Sequence, residues 1–141
     1  MKWTAPAFLS LFALATACGS SVEGTLTIDG TTAELDRCES LEPKGFDGVD
    51  LVTTDDRLVR LYRDSLGTEI TEVSFFPAGR QMGPRLGACA TGSILDSNTR
   101  INDVVALDGD AKIDCDHSYI DENNAMQRVV VSGDVIFEGC H

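Results

Sequence analysis

The most restrictive feature of the sequence is a two-residue alternation of apolar and polar side chains, interrupted every few residues by turn-forming groups. In Gly24–Cys38, Leu26 and Ile28 alternate with Thr25, Thr27 and Asp29, and Ala33 and Leu35 with Thr32, Glu34 and Asp36. Side chains of a strand point to opposite faces in turn, so this pattern builds a sheet with one buried face. Asp29-Gly30 between the halves tolerates the positive φ of a tight hairpin turn. Thr54-Asp55-Asp56 predicts a second turn between Val49–Thr53 and Arg57–Arg63, and Thr68–Phe76 reads as a fifth strand. Beyond the Pro- and Gly-rich loop Pro77–Gly87, three further strand-like segments follow, ACATGSIL, DVVALDGDAKIDC and QRVVVSGDVIFEGC. Asp96–Asn102 and Asp116–Met126 between them read as polar turns, and Gly109 and Gly133 as bulges. After residue 18 no stretch holds apolar residues at helical spacing for ten residues. The expectation is an all-β domain, an antiparallel sandwich or partly closed barrel of about eight or nine strands, stabilised by disulfides.

The N-terminal end is different in kind. Lys2 is followed by residues 5 to 17, which are uncharged and almost all apolar or small. That run is too short for a bilayer span of roughly 20 residues and has the layout of a secretory signal peptide. Ala15-Thr16-Ala17-Cys18 resembles the lipobox of bacterial lipoproteins, with Ala15 where leucine is usual. The resemblance implies cleavage before Cys18 and lipidation of its thiol. Ala15-Thr16-Ala17 also satisfies the Ala-x-Ala pattern of ordinary signal peptidase, which cuts at the same bond. The expected organisation is a signal peptide over 1–17, a lipidated cysteine and short tether over 18–22, and a single β-domain over 23–141. Residues 19 to 22, fully extended, would reach about 13–14 Å.

Cysteine parity agrees with that assignment. The chain has five cysteines, and giving Cys18 to lipid leaves an even set: Cys38, Cys89, Cys115 and Cys140. No C-x-x-C pair is present, which argues against a redox motif or zinc knuckle. Four cysteines allow three connectivities, and the strand order sets a preference. Ala88–Leu95 and Val104–Cys115, joined by a short turn, should pair antiparallel and bring Cys89 to Cys115. Cys38 then takes Cys140.

Charge and motifs narrow the function classes. The net charge is −12, and because Lys2 is the only charge before Cys18 the rest carries −13. Such a surface repels nucleic acid and suits an extracytoplasmic domain. There is no G-x-S-x-G, and the two histidines, His117 and His141, sit in a polar loop and at the last position. Neither is placed as a general base, and no cofactor is implied. The alternative reading is a hydrolase or calcium-dependent protein that uses acidic strand and loop residues. Its calcium candidates are Asp108, Asp110, Asp114 and Asp116, with Asp121 and Glu122 beyond them, although their spacing does not fit an EF-hand loop. Arg80 and Arg85 stand in a loop free of acids and are the binding-loop candidates.

The segments GTLTIDG, DDRLVRLYRD, LGACATGSI with SNTRIND, and GDVIFEGCH, taken with the lipobox, resemble small extracytoplasmic lipoproteins of the myxobacterial kind. A fainter similarity joins TIDG and the late cysteine to the mycobacterial lipoprotein antigens. The resemblance implies an envelope lipoprotein with a disulfide-stabilised β-domain, lipid-anchored to a membrane (the outer one where a cell has it), and transfers no catalytic residue. Its expected partners are the membrane, through the anchor, and an envelope protein or glycan.

Overall fold

A computed structural model describes residues 19–141, all of it strand, turn and one short 3-10 segment. Ten strands follow in chain order: β1 (Ser21–Ile28), β2 (Thr31–Ala33), β3 (Leu35–Ser40), β4 (Gly48–Thr53), β5 (Leu58–Arg63), β6 (Ile70–Phe76), β7 (Arg85–Gly87), β8 (Ala90–Ile101), β9 (Val104–Ile120) and β10 (Met126–Cys140). They form two antiparallel five-stranded sheets, β2-β1-β10-β9-β8 and β3-β4-β5-β6-β7. The sheets do not close into a barrel, so of the two expected architectures the sandwich is the one present, with ten strands. Cys18 and the expected signal peptide lie outside the described residues.

The turn chemistry works as its residues predict. Asp29 and Gly30 take φ of 51° and 81°, and Leu26, Thr27 and Ile28 face Ala33, Thr32 and Thr31. At the second turn, Thr53 N–H donates to Arg57 O at 2.9 Å and Asp56 takes φ 67°. Asp29, Gly30 and Asp56, the residues that take positive φ in these turns, are all types that accept the left-handed region.

Elsewhere the strands depart from the sequence reading. The alternation from Ala33 to Cys38 is not one strand: the chain leaves the first sheet after Ala33 and enters the second at Leu35. Val22 and Ser21 belong to β1, so only Gly19 and Ser20 separate position 18 from the fold, and the expected tether over 18–22 is shorter. Asp96–Ile101 continues β8, with the turn at Asn102-Asp103 (φ 51° and 66°). Asp116–Ile120 continues β9 and pairs with β10. Polar composition misled here because both faces of a hairpin that overhangs the core are wet.

Gly109 and Gly133 are not bulges. They pair in register with Phe137 and Ile113, and the irregularity of β10 falls between Phe137 and Cys140, where Gly139 takes φ 65°. A Cβ on Gly109 would lie 2.7 Å from Cζ of the fully buried Phe137 and would also strike Ser93 O. The missing side chain makes room for the aromatic ring across the strand pair.

Leu26, Ile28, Val131, Val135 and Phe137 of the first sheet meet Val49, Leu51, Val59, Leu61 and Val73 of the second in one core. Each such side chain contributes about 1.5–3 kcal/mol of burial. Both margins of the sandwich are tied. Cys38–Cys140 joins β3 to β10, and Cys89–Cys115 joins the start of β8 to β9, which is the preferred pairing. At the other margin Ile94 N–H donates to Thr68 O at 2.7 Å. Arg63 donates to Ile94 O, Asp47 and Asp96, each at 2.7 Å.

β4 is buried on both faces, because the Glu42–Phe46 segment folds over the outside of the second sheet. Under it Asp50, fully buried, accepts from Arg60 at 2.7 and 2.9 Å and from Lys44 at 2.9 Å. The Arg60 guanidinium lies 4.7 Å from the Phe76 ring centroid and 5.8 Å from that of Phe46.

Candidate functional groove

A groove of about 390 Å³ lies between the loop before β7 and the β9–β10 turn. Pro77, Met82 and Pro84 line one side, and Tyr119, Ile120 and Gln127 the other. The loop is shaped by its glycines and prolines: Arg80 N–H closes a turn onto Pro77 O at 3.0 Å, with Gly79 at φ 69°. The opposite turn is built on Asp121, whose carboxylate accepts the Asn123 and Ala125 N–H groups at 2.9 Å and Gln127 Nε2 at 3.0 Å. The Ala125 hydrogen bond leads the causes that hold the Asp121 carboxyl below its usual range. Large apolar side chains stand exposed about this end of the molecule: Met82 at 80%, Ile120 at 61% and Met126 at 71%.

The two arginines of the loop are not brought together. Arg80 reaches across the groove to Glu122, with Nη1 at 3.0 and 2.9 Å from the carboxylate oxygens. Both partners are well exposed, so the pair holds the groove only loosely, at about 0–1 kcal/mol. Arg85 turns to Glu72 on β6, with Nη2 2.6 Å from Oε2, and its hydrogen bond lowers the Glu72 pKa. Both therefore have an acid partner from elsewhere in the chain.

The acidic candidates are separated in the same way. Asp108 accepts Gly139 N–H at 2.8 Å, Asp110 accepts Ser93 Oγ at 3.2 Å, and Asp116 accepts Arg128 Nε at 2.8 Å. Asp114 and Asp116 do share the exposed face of β9. The Asp116 carboxylate is engaged by Arg128 through both oxygens and not by an arrangement shared with Asp114. Among the described residues no three His, Cys, Asp or Glu side chains gather at metal-binding distance. His117 lies on β9 opposite Val129, and His141 Nδ1 is 2.7 Å from Gly139 O. The sequence reading marked the Pro77–Gly87 loop but missed Tyr119, Ile120 and Gln127, because the segment that carries them reads as a polar turn.

The groove and the start of β1 lie at opposite ends of the sandwich. Ser21 pairs with Glu138 near the end of β10, whereas Met126 starts β10 beside the β9–β10 turn. At about 3.3 Å per residue the intervening strand spans about 40 Å. A second, more polar hollow of about 370 Å³, lined in part by Glu42, Asp47, Arg63 and Asp96, lies at the Ser21 end. Among the described residues no helix is long and apolar enough to cross a membrane. Comparison with known protein families, curated proteins and solved structures returns no match.

Proposed function

We propose that the chain is an extracytoplasmic lipoprotein, anchored through Cys18, whose β-domain is a non-catalytic binding module that presents the groove away from the membrane. The observation that carries this reading is the opposition of the two ends: the chain enters the fold at Ser21, and the groove lies about 40 Å along β10 from it. Two residues, Gly19 and Ser20, separate Cys18 from β1, so an anchor at Cys18 holds the Ser21 end close to the lipid surface and turns the groove outward. Several acyl chains give a stable attachment where one does not. Two disulfides in a chain of this size suit an oxidising compartment. The groove sets apolar walls from Pro77, Met82, Pro84 and Ile120 beside polar groups from Arg80, Glu122 and Gln127, a mixture that suits a docking site.

The test is Cys18→Ala in the native host. The expected outcome is loss of membrane retention and of lipoprotein processing, with the melting temperature of the domain unchanged. Retention of the variant in the membrane fraction would overturn the anchor, and a new free thiol among the other four cysteines would overturn the disulfide count.

A further inference from the structure

β9 runs on past its neighbour. β8 pairs with β9 only as far as Ala90 opposite Ile113, because the chain before Ala90 has crossed from the other sheet, where it forms β7. In an antiparallel pair the main-chain groups of successive residues point to alternate sides. Asp114 N–H points to the β8 side and donates to Cys89 O at 2.9 Å, whereas Asp121 N–H points to the β10 side and donates to Ala125 O at 2.9 Å. Asp116, Ser118 and Ile120 follow the phase of Asp114, so their N–H and C=O groups point to the side that β8 has left. No strand among the described residues pairs there. Tyr119 and Ile120, at the end of this edge, line the groove.

The outer margins of the sheets are blunted by comparison. β2 and β7 are three residues long, and β3 carries Asp36, Arg37 and Glu39 with an irregular register. β8 is capped by a bridge from Glu69 to Ser93 and broken in register between Asp96 and Arg100. Beyond β2, β1 lies against β3. Short, charged or bulged edges resist the addition of another strand, and Asp116–Ile120 has a regular register with β10.

We infer that Asp116–Ile120 takes up an extended peptide segment of a partner protein as an added strand, in the place that β8 vacates, with the groove receiving its inward side chains. This deepens the binding role proposed above and rests on it for the groove, but not on the anchor. Main-chain hydrogen bonds to Asp116, Ser118 and Ile120 supply the attachment, and the pocketed alternate side chains supply the selectivity. Pro77, Pro84, Met82 and Tyr119 call for apolar groups on the inward face, and a methionine wall adapts to their shape. Glu122 at the mouth is exposed and only loosely held by Arg80. On a chain of net charge −12 it favours a basic residue of the peptide beside it. A second copy is disfavoured as the occupant, since antiparallel pairing about Ser118 would set the Asp114 of one chain against the Glu122 of the other. A glycan lacks the regular N–H and C=O repeat of a strand that matches this row of main-chain donors and acceptors.

The test is amide hydrogen exchange on the full chain in mild detergent, with an end-capped hexapeptide of alternating lysine and valine as the probe. In the free protein the amides of Asp116, Ser118 and Ile120 should exchange fast, and those of His117 and Tyr119, which face β10, slowly. Peptide should slow the first set by at least about tenfold, and a fully N-methylated counterpart should not. Ser118→Pro removes one outward N–H and should abolish the protection, while slow exchange at His117 and Tyr119 reports that the hairpin is intact. Met82→Asp should weaken peptide binding without altering exchange in the free chain. The same results are expected in Cys18→Ala, so failure here is separable from failure of the anchor. No slowing at millimolar peptide would overturn the inference. So would edge amides already protected in a chain that sediments as a dimer, or protection by chito-oligosaccharide in place of peptide.

Discussion

Asp50 places a buried carboxylate in the second sheet. It is fully buried, yet it faces outward from the core and is sealed in by Lys44, Phe46 and Arg60. Removing one partner of such a pair strands the other charge, so Asp50→Ala should cost about 3–5 kcal/mol. Urea unfolding would measure this, and an Asp50→Leu/Arg60→Met double variant should recover much of the loss. At the β4–β5 turn, Asp55 titrates at about 2, held down first by Arg57 and then by Thr53. Its folded pKa lies below its unfolded value, so its contribution is present above about pH 4 and disappears as pH falls through about 2. The difference in melting temperature between the native chain and Asp55→Asn should therefore be constant down to about pH 4 and close by about pH 2. A difference that grows on acidification would show that the pairing with Arg57 is not what stabilises the turn.

At the scale of elements, the long β8-β9-β10 meander is held in register by what its glycines leave out. Gly109→Ala would push a methyl group against Phe137 and Ser93. Overpacking of this kind should cost about 1–3 kcal/mol, visible as a lower denaturation midpoint with an unchanged slope. Glycine at 109 and 133 was visible in the sequence, but its purpose was not. A bulge and a close cross-strand approach both demand glycine, and only the identity of the facing residue separates them. The same limit applied at Asp116–Ile120, where exposed polar side chains made a paired strand look like a turn.

For the whole molecule, the two disulfides do unequal work. Cys38–Cys140 closes a sequence separation of 102 and ties one sheet to the other, whereas Cys89–Cys115 closes 26. In the chain-entropy model these closures contribute about 4.7 and about 3.5 kcal/mol. Cys38→Ser/Cys140→Ser should therefore lower the melting temperature more than Cys89→Ser/Cys115→Ser, with calorimetry of the two double variants as the comparison. The reverse order would mean that native-state contacts around Cys89, not loop closure, set the effect.

The all-β class, both tight turns and the Cys89–Cys115 pair were legible in the sequence because each depends on local rules: a period of two, residues that tolerate positive φ, and cysteines at neighbouring strands. Cys38–Cys140 then followed as the remaining pair. Tertiary structure alone decided that the chain changes sheets between Ala33 and Leu35, since alternation looks the same on either side of such a crossing. It alone buried Asp50, because an outward position stays wet unless a distant loop folds over it. The groove is of the same kind. Arg80 and Glu122 lie 42 residues apart in the chain, and their meeting follows from where β8 departs to the other sheet, a choice set by the packing of two whole sheets.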